Sequence, residues 1–144
     1  MEITKNIAKI KSENNIIPQN VVKAFSAIFL DENRCRQWVM NNLHPDGGGC
    51  PECGHKLTEK QKSLFSFGKR VCCKSCSKWF NERTGTLLSG SKMTYAQVFL
   101  LAFLLGMGQH NDCIAAAIGC DEETVRLWRL KFRILERQRK LVDR

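Results

Sequence analysis

Two short motifs, Cys50-Pro51-Glu52-Cys53 and Cys73-Lys74-Ser75-Cys76, decide how the middle of this 144-residue chain folds. Nineteen residues separate the two Cys-x2-Cys pairs, and this spacing is typical of a four-cysteine zinc site. Four thiolates close a tetrahedron around Zn²⁺ and leave no open coordination position, so one such ion would be structural. The alternatives are free thiols grouped by chance, or a disulfide framework.

Cys72 is a competing ligand because it adjoins the second pair. A Cys-x2-Cys loop needs two intervening residues to bring both of its sulfurs to one metal ion, which favours Cys73 together with Cys76. The predicted ligands of the single zinc ion are therefore Cys50, Cys53, Cys73 and Cys76.

Length and composition limit the class of protein. With 144 residues and 16.5 kDa, the chain suits one compact domain or two small ones. Eight cysteines are too few for a typical disulfide scaffold, and the N-terminus shows no secretory pattern, so we expect a reduced cytoplasmic setting. The longest apolar run covers 98–107, and a bilayer span needs about twenty residues, so we expect no membrane association.

The pattern along the chain predicts a small α+β protein. Alternating apolar residues predict short antiparallel strands within 64–72 and 78–84. The predicted regions are a flexible N-terminus over 1–17, a helical segment over 18–46, a zinc ribbon over 47–90, and a helix-turn-helix with a basic C-terminal helix over 91–144.

Capping residues mark where the predicted helices begin and end. Pro18 stands at a first-turn position, and Asp31 precedes a second helix. Thr94 precedes a helix that reaches about residue 107, and Asp121 precedes the last helix. Between the last two helices, Gly119 supplies the left-handed conformation that a tight turn requires.

The last two helices have the pattern of a helix-turn-helix. Ala115 is small where the two helices would cross, and apolar residues would fill the space between them and the preceding helix. A DNA-binding helix-turn-helix has these features, and so does an ordinary helical hairpin in an α-helical core. The apolar positions are Ile114, Ile118, Cys120, Val125 and Trp128.

Positive charge is concentrated in two blocks of the chain. The net charge is +9, to which 34–83 contribute +6 and 121–144 contribute +3. Two basic blocks around a neutral apolar segment suit a polyanion held at two points, although basic residues also serve as ordinary solvated surface. Acidic residues open the last helix, so we expect DNA contacts beyond them. The candidates are Arg126, Arg129, Lys131 and Arg133 on this helix, and Lys69, Arg70, Lys74 and Lys78 in the ribbon.

Five motifs together carry a resemblance to a known family. They are Asp31-Glu32-x-x-Cys35-x-x-Trp38, Pro45-Asp46-Gly47, Cys50-Pro51-Glu52-Cys53-Gly54, Cys73-Lys74-Ser75-Cys76-Ser77-x-x-Phe80, and Arg83-Thr84-Gly85-Thr86. The chain resembles, over residues 20–133, the zinc-ribbon N-terminal region of insertion-sequence transposases. The resemblance implies recognition of transposon-end DNA, with zinc on the four cysteines named above.

Those transposases continue into a catalytic domain whose three carboxylates bind two Mg²⁺ ions. Here only Glu136 and Asp143 follow the predicted helix-turn-helix, and two-metal chemistry needs several carboxylates that converge from a folded scaffold. We therefore expect no enzymatic activity. The chain would be a stand-alone DNA-binding derivative or a truncated transposase.

The leading hypothesis is a zinc-stabilised protein that binds double-stranded DNA sequence-specifically, in transcription control or in recognition of mobile-element ends. It would act at the nucleoid, in the cytoplasm of a bacterial or phage-infected cell, as a homodimer or with a transcription or transposition partner. The alternative is an adaptor whose ribbon docks on a protein such as RNA polymerase. Salt dependence separates the two, because phosphate binding weakens steeply with salt.

Overall fold

Five α-helices and one two-stranded antiparallel sheet form the small α+β fold of residues 26–142, the part of the chain that the computed structural model describes. The predicted flexible segment 1–17 and the helix predicted to begin at Pro18 lie outside these residues. The elements are a 3₁₀ turn (Ala27–Phe29), α1 (Glu32–Leu43), α2 (Glu59–Ser66), β1 (Val71–Cys72), β2 (Trp79–Phe80), α3 (Tyr95–Gly106), α4 (Asn111–Ile118) and α5 (Glu122–Val142).

Capping side chains begin the helices where the sequence predicts. The Asp31 carboxylate accepts a hydrogen bond from the Arg34 N–H at 3.0 Å, which starts α1. Thr94 forms a reciprocal capping box with Gln97 at the start of α3. Gly119 ends α4 with φ +86°, in the left-handed region. Local side-chain caps and the left-handed conformation of Gly119 therefore mark these helix boundaries.

The predicted strand over 64–72 is wrong in its first half. Residues Glu59–Ser66 form α2, because Thr58 and Gln61 make a capping box that starts a helix there. Gly68 follows with φ +79°, and strand pairing is left only for Val71 with Phe80 and Cys72 with Trp79. The second predicted strand, 78–84, is likewise reduced to two residues, because Asn81–Thr84 turn back on themselves through the hydrogen bond from Thr84 N–H to Asn81 O.

The buried side chains form two clusters. The larger joins α1, α3, α4 and α5, and we call this region the helical module. The smaller lies in the ribbon, between the cysteine motifs, α2 and the sheet. The ribbon cluster is Cys50, Leu57, Phe65, Val71, Cys73 and Phe80.

The two last helices pack against α3 as the apolar pattern predicts. Ile114 and Val125 are fully buried, and Trp128 is 4 % exposed. Ala115 is buried as well, and Cys120 packs against the cluster while partly exposed. This packing is common to DNA-binding helix-turn-helix pairs and to plain helical hairpins.

Candidate metal centre and nucleic-acid interface

The four predicted cysteine ligands converge on one point of the ribbon. All four sulfur atoms lie within 4.8 Å of one another. The Cys50 and Cys76 sulfurs are 3.6 Å apart, and those of Cys53 and Cys73 are 3.5 Å apart. A tetrahedron with Zn–S bonds of about 2.3 Å has sulfur–sulfur edges of about 3.8 Å, so the cluster has the size of a thiolate zinc site. Both distances exceed the disulfide bond length of about 2.05 Å, so the four cysteines are free thiols in this structure.

The two cysteine motifs fold into the same local loop. In the first, the Cys50 N–H donates to His55 O at 3.0 Å and the Gly54 N–H donates to Cys50 O at 2.9 Å. In the second, the Cys73 N–H donates to Lys78 O at 2.8 Å and the Ser77 N–H donates to Cys73 O at 3.0 Å. Gly54 and Ser77 occupy equivalent positions, with φ +77° and +64°. The repeated loop presents two sulfurs from each motif to a common centre.

Backbone N–H groups stabilise negative charge on the sulfurs. The Cys76 and Ser75 N–H groups each donate to the Cys73 sulfur at 3.4 Å, and they lower the pKa of Cys73 to about 6. The N–H groups of Cys53 and Glu52 lower the pKa of Cys50 in the same way. Metals bind the thiolate form, so these N–H groups favour metal binding at Cys50 and Cys73, whereas burial and the neighbouring sulfurs raise the pKa of Cys76 to about 12.

Cys72 lies apart from this cluster. Its thiol donates to Ser77 O at 3.4 Å, and it is not among the four sulfurs that converge. The described residues contain no other group of three or more His, Cys, Asp or Glu side chains close enough to hold a metal ion. The geometry therefore favours Cys73 over Cys72, as the two-residue loop predicts.

A buried carboxylate beside the ribbon was missed by sequence reasoning. Glu82 is 5 % exposed; its Oε1 accepts a hydrogen bond from the Tyr95 hydroxyl at 2.9 Å and lies 3.5 Å from Arg36. The Glu82 carbonyl lies 2.6 Å from His44 Nε2. Glu82 thus links the ribbon to α1 and α3. The one available signal was its position immediately before Arg83-Thr84-Gly85-Thr86.

That Arg-Thr-Gly-Thr motif holds the chain between ribbon and helical module. The Arg83 guanidinium donates to Ser91 O at 3.0 Å and to Met93 O at 2.8 Å, and it lies over the Tyr95 ring. Gly85 is required by packing, because a Cβ atom there would lie 2.8 Å from Cβ of Pro51. The motif therefore fixes where α3 begins relative to the first cysteine loop.

Glu32 makes a second link that the sequence did not reveal. Its carboxylate accepts hydrogen bonds from the Tyr95 and Ala96 N–H groups, both at 2.8 Å. A carboxylate at a helix N-terminus satisfies free N–H groups and complements the helix dipole. Glu32 thereby ties the start of α1 to the start of α3.

Most basic side chains of α5 lie along one side of the helix. At 100° per residue, five positions fall within an arc of about 80°. Their side chains are exposed except for the half-buried Arg129. Two members, Arg137 and Lys140, were not among the predicted contacts, although their spacing of four and seven residues from Arg133 was visible. We call this set the basic row: Arg126, Arg129, Arg133, Arg137 and Lys140.

Lys131 does not belong to the basic row. It lies about 140° around the helix from Arg126, and its ammonium group sits 4.4 Å from the centre of the Trp128 ring. Lys131 therefore faces a different side of α5 from Arg126 and Arg133, and its role as a DNA contact stays a prediction. Arg126 and Lys131 are five residues apart, which is about 1.4 turns of an α-helix, so their side chains leave the helix in different directions.

Two members of the basic row already have partners within the chain. Arg129 donates to Asn111 Oδ1 at 2.8 Å and to Gln109 O at 3.2 Å, so it attaches α5 to the first residue of α4 and to the loop before it. Arg126 forms a two-pronged ion pair with Glu123, which lowers the pKa of that carboxyl. Arg133 and Arg137 have no ion pair among the described residues.

The acids at the start of α5 serve the helix itself. The Asp121 carboxylate accepts from the Thr124 N–H at 2.8 Å, and hydrogen bonding by Thr124 lowers its pKa. Arg126 offsets the charge of Glu123, and the carboxylates of Asp121 and Glu122 leave the N-terminal turn negative. The turn is therefore unsuited to approach a phosphate backbone.

The four ribbon residues that are predicted to contact DNA lie on the surface around β1 and the second cysteine loop. Lys69, Arg70, Lys74 and Lys78 are all exposed. Lys78 pairs with Glu52 at 3.6 Å across the two cysteine loops, and the Arg70 guanidinium lies 5.8 Å from the Trp79 ring centre. Trp79 itself is 59 % exposed, whereas Phe80 is buried in the ribbon cluster.

Comparison with protein-family models, with curated proteins and with solved structures found no match to this chain. Among the described residues, no helix has the length and apolar character needed to cross a bilayer.

Proposed function

We propose that this protein is a zinc-stabilised, sequence-specific DNA-binding protein, related to transposase DNA-recognition modules, that acts in transcription control or in recognition of mobile-element ends. The observation that carries the proposal is the basic row, which aligns five cations along the side of one helix. Phosphates follow one another regularly along a duplex, and a line of arginines suits such a polyanion.

The four-sulfur cluster supports a structural zinc ion in this proposal. Four cysteine sulfurs at tetrahedral spacing leave no position for a reacting group, and soft thiolates select zinc over magnesium or calcium. Cys50, Cys53, Cys73 and Cys76 would hold the ion. Its role is to fix the loops that carry Lys74 and Lys78, which we assign to phosphate contacts together with Lys69 and Arg70.

The basic row also indicates which part of α5 meets the duplex. The negative first turn repels phosphates, so the helix side carrying Arg133 and Arg137 is the better contact surface. Arg126 reaches DNA once Glu123 releases it, and Arg129 contributes mainly by holding the loop before α4. Lys131, on another side of α5, is left with at most a minor role.

We assign no catalytic role to the described part of the chain. Its one candidate metal cluster is made of cysteines, and its buried carboxylate, Glu82, is held by Arg36 and Tyr95. We expect no Mg²⁺-dependent cleavage or strand transfer from the purified chain. Cleavage that disappears when an acid of this chain is mutated would contradict that expectation.

The experiment starts from duplexes selected by the zinc-loaded protein out of a random library. Binding of a selected duplex is then followed by fluorescence anisotropy over a range of salt concentrations. Replacing Arg126, Arg133 and Arg137 by Ala should weaken binding. The slope of log K against log salt should fall by about 2.7, that is, about 0.9 for each phosphate that the variant no longer neutralises. Arg129 is left intact because of its structural bonds.

A matched control removes the same charge elsewhere. Replacing Lys56, Lys60 and Lys62 by Ala takes three exposed cations from outside the proposed surface, and the slope should stay close to that of the unaltered protein. Lys74→Ala should weaken all duplexes alike. If the row variant stays folded and keeps its affinity and salt slope, the helix pair is only structural, and the adaptor hypothesis takes its place.

A further inference from the structure

A second side of α5 carries large apolar side chains that nothing in the described part of the chain covers. Leu127, Leu130 and Ile134 are 46 %, 41 % and 56 % exposed. They follow one another at steps of three and four residues, the spacing of a helix-pairing seam. The buried side chains Val125 and Trp128 point to a different side of the helix. We call these three exposed residues the apolar stripe.

The helix also extends beyond the core that supports it. α5 has 21 residues, which corresponds to a length of about 30 Å. Phe132 is the last side chain of α5 that packs, partly buried, against the large cluster, and Leu135 is 41 % exposed. Residues 136–138 and 140 are exposed. Isolated helical ends are marginal in water, so a helix that carries an apolar stripe and continues past its packed stretch suits a partner that lies along it.

The charges beside the apolar stripe identify the kind of partner. In the heptad register set by the stripe, the flanking positions are 124, 126, 131, 133, 138 and 140. Four of them are basic and none is acidic. In a second copy of α5 these positions would bring like charges together, whereas glutamates on a partner helix would pair with them. The basic members are Arg126, Lys131, Arg133 and Lys140.

We propose that the apolar stripe is a docking site for an acidic amphipathic helix of a partner protein. The partner helix would bury its apolar seam against Leu127, Leu130 and Ile134. Its carboxylates would pair with Arg133 and Lys140 on one side of the stripe and with Lys131 on the other. Lys131, which lies outside the basic row, would thus pair with a carboxylate of the partner helix.

The test uses two synthetic helical peptides and no DNA, so its outcome is independent of the proposed DNA binding. Both peptides carry the same Leu/Ile seam; one has Glu at every flanking position and the other has Lys. NMR titration of the zinc-loaded protein should show saturable binding of the Glu peptide alone, with shifts at the apolar stripe. Replacing Leu127, Leu130 and Ile134 by Ser should weaken this binding roughly tenfold or more.

Two controls keep the result interpretable. Phe67→Ser and Met107→Ser remove apolar groups elsewhere that are even more exposed, at 73 % and 63 %, and should leave binding unchanged. Arg133→Glu combined with Lys140→Glu retains the stripe and should shift preference toward the Lys peptide. Circular dichroism confirms that each variant keeps its helices.

Three results would overturn the proposal. Equal binding of both peptides would mean unspecific hydrophobic contact, and binding of neither would mean that no acidic helix docks here. Sedimentation of the protein as a dimer that becomes monomeric in the three-Ser variant would show that a second copy covers the stripe.

Discussion

The ribbon and the helical module differ in how much apolar surface each buries. Among the described residues, the helical module has thirteen buried residues in its cluster, contributed by elements far apart along the chain. The ribbon has six, and two of these, Cys50 and Cys73, belong to the four-sulfur cluster. Units this small seldom fold on apolar burial alone. This difference supports our proposal that the ribbon depends on a metal ion, whereas the helical module depends on packing.

The two regions meet through α1 and a few charged side chains. On α1, Cys35 and Val39 pack in the helical module, while Met40 packs against the ribbon cluster. Glu82 lies at this junction, with Arg36 and Tyr95 around it. The junction therefore combines a shared helix with a buried ion pair, and disturbing it should affect both regions.

The largest expected effect comes from removing the metal. Structural zinc contributes about 10 kcal/mol or more to folding in zinc-finger peptides, so chelation or Cys73→Ser should unfold the ribbon. Amide NMR should then show collapsed signals for ribbon residues and dispersed signals for α3, α4 and α5. Cys72→Ser is the control and should keep both metal and fold, because its sulfur lies outside the cluster. Full zinc content in Cys73→Ser would contradict the ligand assignment.

The converse experiment damages the helical core. Leu101 is fully buried in α3, and Leu101→Ala should lower the free energy of unfolding by about 2–5 kcal/mol. Phe103→Ala on the same helix, where the side chain is 55 % exposed, should change it by less than about 0.5 kcal/mol. Chemical denaturation measures stability, and metal analysis should show unchanged zinc content. Loss of zinc in folded Leu101→Ala would mean that the ribbon depends on helical packing.

A third experiment acts on the junction. Glu82→Ala leaves Arg36 and the Tyr95 hydroxyl without their partner, so we expect a loss of about 1–3 kcal/mol in the free energy of unfolding. Glu59→Ala removes an exposed ion pair with Lys62 and should cost less than about 1 kcal/mol. Equal small losses in both variants would show that the buried ion pair contributes nothing to the junction.

The smallest expected effect concerns the two cysteine loops. Ser77 has φ +64°, a conformation that costs a non-glycine residue roughly 1 kcal/mol, whereas the first loop has Gly54 in the same place. Ser77→Gly should raise the free energy of unfolding of the zinc-loaded protein by up to about 1 kcal/mol, as measured by thermal denaturation. Gly54→Ser should lower it by a similar amount. A destabilising Ser77→Gly would show that the serine side chain makes a needed contact.

Much of this protein could be predicted because the relevant forces act between near neighbours in the chain. The two Cys-x2-Cys motifs form their own loops, with hydrogen bonds that span at most five residues. The caps of α1 and α3 depend on side chains three residues away, and Gly119 ends α4 by its own conformation. The four cysteines that converge could for this reason be named from spacing alone.

Where the prediction was wrong, two local tendencies competed. Residues 64–72 alternate well enough to predict a strand, yet the Thr58–Gln61 capping box starts a helix that includes the first three of them. Burial of Phe65 in the ribbon cluster, where its ring meets that of Phe80, supports the helical choice. The periodicity of a few residues does not reveal whether a helix cap and long-range packing will turn a predicted strand into a helix.

Other features were decided by tertiary structure alone. Glu82 pairs with Arg36, 46 positions earlier in the chain, and Glu32 caps α3 more than 60 residues away. No local pattern distinguishes these buried acids from solvated ones. The composition and spacing of the sequence determined that the chain has a four-cysteine site, a helical pair and a basic last helix. Only the folded chain decided which charges are buried, which are shared with neighbours and which remain for a partner, because these outcomes depend on contacts between distant segments.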